Sequence, residues 1–372
     1  MYETALPGPV VNVPRQEHAA ADSGNLAKLL DAIPDELGAL SVLSGKHLLS
    51  TRHLSPRLIL QILRLAARFE SGEFDERRPL NGKILSNVFL DSSRSHTRLS
   101  FNSAWLRLGG TLLNFEKSID EVTRTHHAPD EIVELCNNYG DLAVLRTLDS
   151  QSFDHMLEYF RVPVINAGSG DDQHPTHALA DLYTLFKWRP ELMGLQDEPV
   201  DPVQIAVFGS PADTRTIRSF LDLVAMFPGA VERVVVFERL EHLFTGGQRE
   251  ELQKAGLNIQ TVSEILPVDT NMQAIRKLLP EMDVVYVHHK RPMHATRMDL
   301  VEAISHLKAD ALVFNPHIQT EEFSNHLNDS PRNGYFAQAR GAVYVRMALF
   351  SLLLGTPCSE VAGAGELVPI EE

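Results

Sequence analysis

The feature that most constrains this chain is a hydroxyl-rich turn between a buried strand and a helix. Residues 84–90 form an apolar run that predicts a strand, and from Thr97 to Gly109 the apolar residues recur at helical spacing. The turn between these two elements contains Ser92, Ser93, Arg94, Ser95, His96 and Arg98. The first N–H groups of a helix lack intrahelical partners, and the helix dipole is positive there. The turn therefore suits an anion such as phosphate, and the two arginines favour this over a plain helix cap with solvated side chains.

Strands and helices alternate along the rest of the chain. Short apolar runs, for example residues 142–146, 164–166, 205–209, 283–287 and 311–314, are separated by helical stretches. This alternation predicts an α/β fold with two doubly wound parallel-sheet domains, whose ligands lie at the carboxyl ends of the strands. The length of 372 residues suits two such domains. Within the first of them, the pair Ser55-Pro56 predicts the start of a helix, with Ser55 as the N-cap and Pro56 as the first helical residue.

We predict four segments. Residues 1–45 form a partly disordered N-terminal extension, and residues 46–185 form the first domain. Residues 186–335 form the second domain. Residues 336–372 contain a helix that returns to the first domain, followed by a tail.

The net charge of −15 argues against nucleic acid or an anionic membrane as the main partner. The chain has no apolar run near the roughly 20 residues that cross a bilayer, and we expect it to be cytoplasmic. Cys136 and Cys358 lack metal-type spacing and indicate structural thiols in a reduced compartment. We expect neither a metal site nor a cofactor.

The turn also carries a resemblance to a known family. The segment Ser-Arg-Ser-His-Thr-Arg-Leu-Ser-Phe at 93–101 resembles the phosphate loop of the aspartate/ornithine carbamoyltransferases. Further matches follow in order over most of residues 47–355, and they are nearer to the aspartate branch. The resemblance implies transfer of a carbamoyl group from carbamoyl phosphate to an amino acid, aspartate by default. It also implies a role in pyrimidine biosynthesis and a homotrimer or a multiple of it.

By this resemblance, carbamoyl phosphate is bound by Ser93, Arg94, Ser95, His96, Thr97, Arg98, Arg146, His174 and His177. Four of these are the implied catalytic residues: Thr97, Arg98, Arg146 and His174. Arg146 would touch the phosphate and the carbonyl oxygen, whereas an isolated arginine at a strand end is usually a surface residue. His174 would donate to the carbonyl oxygen. Either Arg94 or His96 takes the place of the first loop arginine, depending on the alignment. His177 replaces the glutamine that holds the carbamoyl amino group, and its spacing places it one helical turn after His174 on the same face.

The acceptor half departs further from the family. Arg215 would pair with a substrate carboxylate, although a surface arginine fits equally well, and His289 stands where the aspartate branch has an arginine. Arg291 and Pro316 complete the implied acceptor residues. The lysine of the family's mobile loop is missing, with only Lys117 and Arg124 as substitutes.

Three functions therefore stay open: an active carbamoyltransferase, an inactive paralogue with a structural or regulatory role in a complex, and a regulator that binds a small anion.

Overall fold

The protein was described from a computed structural model. The structure describes residues 18–72, 78–90, 95–115, 128–147, 149–169, 173–195, 200–237, 243–265, 271–288, 306–314, 330 and 332–355.

The first sheet has four parallel strands in the order β2-β1-β3-β4. Its strands are β1 (Ile84–Phe89), β2 (Thr111–Phe115), β3 (Leu142–Arg146) and β4 (Val164–Asn166). The strand order reverses between β1 and β3, which are neighbours in the sheet. Because ligands of doubly wound sheets bind where the strand order reverses, the ends of β1 and β3 mark a candidate site.

The second sheet has five parallel strands in the order β7-β6-β5-β8-β9. Its strands are β5 (Val203–Phe208), β6 (Val231–Val236), β7 (Ile259–Thr261), β8 (Val284–Val287) and β9 (Leu312–Phe314). The order reverses between β5 and β8. The predicted fold class of two parallel-sheet domains is confirmed.

Helices cover both sheets. Their bounds are α1 His18–Ala32, α2 Pro56–Ser71, α3 Ser95–Arg107, α4 Ala128–Tyr139, α5 Ser150–Leu157, α6 Pro175–Trp188, α7 Arg215–Val224, α8 Gln248–Lys254, α9 Val262–Ile265, α10 Asn271–Leu278 and α11 Tyr335–Leu353. Short 3₁₀ helices lie at Leu37–Leu43, Thr51–His53, Pro190–Met193, Pro228–Ala230 and Leu279–Glu281.

Helix α2 shows how the sequence sets a helix start. Ser55 is its N-cap, and the Ser55 hydroxyl accepts a hydrogen bond from the Leu58 amide at 3.2 Å. Pro56 is the first helical residue, where its missing N–H costs no hydrogen bond. Both features were predicted from the Ser-Pro pair.

The last helix, α11, packs back against α2, α3 and α6 of the first domain. Gly341 permits the approach to α6, since a Cβ atom at this position would lie 2.9 Å from Cδ1 of Tyr183. The N-terminal helix α1 also joins this core, with Leu26, Leu29 and Ile33 buried. Both ends of the described chain therefore support α6, the helix that carries the candidate site.

Three features bear on the expectations drawn from composition. Cys136 is buried and free, and burial raises the pKa of its thiol to about 12, as befits a structural residue. None of the described helices combines the length and hydropathy of a membrane span. Across the described part of the chain, no group of three His, Cys, Asp or Glu side chains is arranged around a metal position.

Candidate active site

The site is built where the first sheet reverses its order. Phe89 at the end of β1 is in register with Arg146 at the end of β3, and the Leu90 amide donates to the Arg146 carbonyl at 3.0 Å. The chain then enters the anion turn, so this turn starts beside Arg146. The parallel register thus places two sequence-predicted elements at one edge of the sheet.

Arg146 is 1% exposed, so the surface alternative does not describe this side chain. Its guanidinium donates from Nη1 to the carbonyl oxygen of Ala167, which follows β4, at 3.0 Å. Burying a cation is costly unless hydrogen bonds or an opposite charge compensate. A guanidinium held in this way at the strand ends is suited to a planar anion.

His174 is the residue before α6 and is 3% exposed. It stands in the N-cap position, but its side chain does not cap the helix. Its Nδ1 atom is buried and makes no hydrogen bond within the described residues. Burial, then the charges of His177, Arg215, Arg146 and Arg346, lowers the pKa of His174 well below its ordinary value. The imidazole is therefore neutral at pH 7.

The backbone before α6 is held by the second domain. The His174 amide donates to the hydroxyl of Ser219 at 3.0 Å, and that hydroxyl donates to Oε1 of Gln173 at 2.9 Å. The Gln173 side-chain amide in turn reaches Oδ2 of Asp222 at 3.3 Å. Ser219 and Asp222 both belong to α7, so this helix fixes where His174 lies.

His177 lies one helical turn after His174, and their ring centroids are 5.3 Å apart. The spacing of three residues predicted a shared face, and the structure confirms it. Nε2 of His177 is 3.5 Å from Oδ2 of Asp181, one further turn along α6. Asp181 is completely buried beneath the two histidines.

Asp181 receives hydrogen bonds from distant parts of the chain. The Tyr286 hydroxyl, from β8, donates to its Oδ2 at 2.7 Å, and the Gln338 amide, from α11, donates to its Oδ1 at 2.7 Å. Burial raises the pKa of Asp181 to about 7, while these two hydrogen bonds and the charge of Arg346 partly oppose the rise. One carboxyl group thus connects both domains and the last helix.

Arg346 is the second buried cation near the site. Its guanidinium donates to the Ser100 hydroxyl of α3 and lies 4.3 Å from the ring centroid of Phe101. Burial lowers its pKa to about 9, against the opposing charge of Asp181. Arg346 remains a cation at neutral pH.

Arg215 begins α7 and reaches from the second domain towards the first. A Cβ atom on Gly168, which has φ of +109°, would lie 3.0 Å from Cζ of Arg215. Gly168 therefore meets a backbone requirement and leaves room for this guanidinium. The structure thus favours the predicted site role of Arg215 over a surface role.

The remaining predicted donor residues are described in part. Ser95 begins α3, Thr97 and Arg98 are half-buried in its first turn, and His96 is exposed. Ser93 and Arg94 lie outside the described residues, so the choice between Arg94 and His96 stays open. Among the predicted residues, the structure brings together Arg146, His174, His177 and Arg215.

The rest of the predicted acceptor site lies outside the described residues, namely His289, Arg291 and Pro316, as do the substitutes Lys117 and Arg124. His288, which follows β8, is buried, and its amide donates to the Phe208 carbonyl at 2.9 Å.

Sequence reasoning missed Asp181, Tyr286, Gln338 and Arg346 as parts of the site. A signal existed for Asp181, which stands four residues after His177 among apolar residues of a buried helix. An acidic residue on a buried helical face requires partners. No local pattern pointed to Tyr286 or Gln338, which are 105 and 157 residues away from Asp181.

Comparisons with known proteins agree with this architecture. Residues 46–187 match the family model for the carbamoyl-phosphate-binding domain of aspartate/ornithine carbamoyltransferases. The chain is 30% identical over 325 residues to the aspartate carbamoyltransferase catalytic subunit of Alkaliphilus oremlandii, covering 84% of this chain and 92% of the relative. It is also 30% identical to the corresponding subunit of Methanopyrus kandleri, covering 85% of this chain and 99% of that one.

Among solved structures, the chain is similar to aspartate transcarbamoylase from Trypanosoma cruzi in complex with N-(phosphonacetyl)-L-aspartic acid. The TM-score is 0.69 and the identity is 25%, with 87% of this chain and 98% of the other covered.

Proposed function

Because the chain belongs to the aspartate/ornithine carbamoyltransferase family, we propose that it transfers the carbamoyl group of carbamoyl phosphate to the amine of L-aspartate. The products are N-carbamoyl-aspartate and phosphate. The nitrogen–carbon bond forms as the carbonyl carbon–oxygen bond to phosphate breaks, and the amine gives up one proton to the departing phosphate. This chemistry fits a place in pyrimidine biosynthesis.

The observation that carries the proposal is the buried cluster around His174. Arg146, Arg215 and Arg346 all act electrostatically on this histidine, and the cations come from three different parts of the fold. Such a cluster in a protein of net charge −15 suits a small, strongly anionic substrate.

The donor substrate needs two kinds of contact. The phosphate is bound by the start of α3, including Ser95, Thr97 and Arg98, together with Arg146 and either Arg94 or His96 of the turn. Ser93 adds a further hydroxyl. The carbonyl oxygen gains negative charge as the amine attacks, and Thr97, Arg146 and His174 stabilise it.

The protonation state of His174 fits this task. A neutral imidazole can donate through one ring nitrogen and remains a weak acid, whereas the surrounding guanidiniums supply the positive charge. In the site, the arginines therefore neutralise the charge of the substrate, while His174 supplies a directional hydrogen bond.

The acceptor substrate is placed by residues of the second domain. Arg215 pairs with a carboxylate of aspartate, and His289, Arg291 and Pro316 complete the acceptor site in this proposal. The assembly is a homotrimer or a multiple of it in the cytoplasm, and Lys117 or Arg124 serves in place of the family's loop lysine.

The test is direct. The purified protein is incubated with carbamoyl phosphate and a panel of amines that includes aspartate and ornithine, while phosphate and the ureido product are measured. Product with aspartate alone supports the proposal, and product with another amine changes the acceptor. A folded trimer that forms no product beside an active control enzyme would identify an inactive paralogue.

A further inference from the structure

We infer that Asp181 is a positioning residue that fixes the tautomer of His177, so that Nδ1 of His177 accepts a hydrogen bond from the carbamoyl amino group. This inference rests on the proposed function and adds a residue to its donor site. It also explains how a histidine can stand at a position where the family has a glutamine.

The position of Asp181 is the basis for assigning the His177 proton to Nε2, the ring nitrogen that faces it. Nε2 of His177 is 3.5 Å from Oδ2 of Asp181, which is long for a hydrogen bond but short enough to close when substrate binds. An ionised Asp181 accepts only, and it therefore holds the His177 proton on Nε2. The lone pair then lies on Nδ1, as an acceptor equivalent to the oxygen of a glutamine amide.

The carboxylate is well prepared for this role. The donors Tyr286 and Gln338 each bind one of its oxygens at 2.7 Å, and they come from β8 and α11. These two hydrogen bonds fix the orientation of the Asp181 carboxylate relative to His177. The position of Asp181, four residues after His177, places it on the same helical face.

A change in protonation of Asp181 would reverse the hydrogen bond. A neutral carboxyl can donate to Nε2, which moves the His177 proton to Nδ1 and converts the acceptor into a donor. The N–H group at Nδ1 would then oppose the N–H groups of the carbamoyl amino group. Because both are donors, carbamoyl phosphate would bind more weakly.

Several charged or titratable groups surround the histidine pair among the described residues. They are Asp181 on α6, Arg146 at the end of β3, Arg215 on α7, Tyr286 on β8 and Arg346 on α11. The arginines keep their charge across neutral pH, and Tyr286 has a pKa raised well above its ordinary value by burial. His174 titrates well below its ordinary value. Asp181, with a pKa of about 7, is the member of this set that changes charge in the neutral range.

The test is a double-mutant cycle on the full chain. The four proteins are the wild type, Asp181→Asn, His177→Gln and the double variant. Calorimetry measures the Kd for carbamoyl phosphate, and phosphate release with aspartate measures kcat/KM from pH 6 to 9.

With His177 present, Asp181→Asn should weaken carbamoyl phosphate binding by about 10–100-fold, the range known for residues that orient a metal-binding histidine. In the His177→Gln background the same substitution should change Kd by no more than about twofold, because a glutamine amide has no tautomer to fix. An equal loss in both backgrounds would assign Asp181 a purely structural role and overturn the inference.

The pH profile gives a second readout. With His177 present, kcat/KM should fall on the acidic side of about pH 7, and this limb should be missing in both proteins that carry His177→Gln. A limb that persists without His177 contradicts the inference.

If Asp181→Asn does not fold, Tyr286→Phe replaces it in the test. This variant removes one donor to Asp181 and should move the acidic limb to higher pH, because the lost hydrogen bond had lowered the pKa of Asp181. An unchanged profile would overturn the inference.

The cycle separates this inference from the proposed function. A wild type that binds carbamoyl phosphate without turnover contradicts the function, and the Kd values still decide the role of Asp181. A wild type that turns over, with Asp181→Asn acting equally in both backgrounds, contradicts only the role of Asp181. A wild type that neither binds nor reacts refutes both.

Discussion

Helix α6 carries two buried polar clusters that differ in how completely they are satisfied. Near its end, the Lys187 ammonium pairs with Glu70 Oε1 of α2 at 3.1 Å, and the Tyr183 hydroxyl donates to the other oxygen of Glu70. The side chains of Lys187 and Glu70 are only 4% and 8% exposed. Near its start, His174 keeps a buried Nδ1 atom without a hydrogen bond in the described structure.

The contrast distinguishes the Glu70 cluster, which stabilises the fold, from the His174 cluster, which forms the candidate site. In the Glu70 cluster, opposite charges and a hydroxyl satisfy one another within the protein. In the His174 cluster, cations and a neutral histidine converge at the start of the helix, and the pKa values of His174, Asp181 and Arg346 are all shifted by burial. Several shifted pKa values within one buried cluster are typical of a ligand site.

The largest effect should come from His174→Ala. Loss of one donor to the developing oxyanion lowers kcat by about 10²–10³-fold. Steady-state rates with carbamoyl phosphate and aspartate measure this loss, and circular dichroism checks that the fold is retained. A variant with the wild-type rate would remove His174 from the reaction.

Lys187→Met should act on stability instead. It leaves the Glu70 carboxylate buried without its cation, which costs about 3–5 kcal/mol of unfolding free energy. Urea titration measures the change, and kcat per folded molecule should stay at the wild-type value because Lys187 lies outside the site. A large fall in kcat with little loss of stability would contradict the assignment of the Glu70 cluster to stability and of the His174 cluster to activity.

The pH dependence of stability should distinguish Asp181 from the Glu70 cluster. The folded pKa of Asp181, about 7, exceeds its ordinary value, so the folded state binds more protons between pH 4 and pH 7. Its stabilising contribution is present below about pH 4 and is lost as the pH rises through 7. The effect is on the order of a few kcal/mol.

The comparison of wild type with Asp181→Asn isolates this contribution. His174 affects stability in the opposite direction, because a lowered folded pKa destabilises the folded state as the pH falls below about 6.5. Since His174 is present in both proteins, its effect cancels in the comparison. Relative to Asp181→Asn, the wild type should therefore be more stable at pH 5 than at pH 8. Urea titrations at the two pH values measure the difference, and a constant difference would show that Asp181 has an ordinary pKa.

The smallest effect is expected from a matched pair, Tyr183→Phe and Tyr286→Phe. Each removes one hydroxyl that donates to a buried carboxyl group, at a cost of about 1.5–3 kcal/mol of unfolding free energy. Only Tyr286→Phe should also move the pH profile of kcat/KM. The same shift in both variants would mean that the pH profile of kcat/KM responds to a general destabilisation of α6 and not to Asp181.

Local patterns predicted much of this fold. The apolar runs at β1, β3, β4, β5 and β8 were recognised, as were the start of α2 and the closing helix. Strand β7 was not predicted, because three residues with a polar member, Ile259–Thr261, give no clear period.

Local sequence patterns predicted less of the candidate site than of the fold. The resemblance supplied Arg146 and His174, and the spacing supplied the pairing of His177 with His174. Burial of Arg146 and the convergence of Tyr286 and Gln338 on Asp181 are tertiary facts. The hydrogen bonds to Asp181 join residues more than 100 positions apart, where sequence periodicity carries no information.

The return of α11 to the first domain has a consequence for biosynthesis. The strands that form the first sheet leave the ribosome early, and domains generally begin to fold in that order. Gln338 and Arg346, however, belong to α11 and are synthesised after the whole second domain. A nascent chain therefore holds an incomplete donor site until translation passes α11. Catalytic competence is thus acquired only after α11 has been synthesised, and products truncated before this helix cannot complete the carboxylate network.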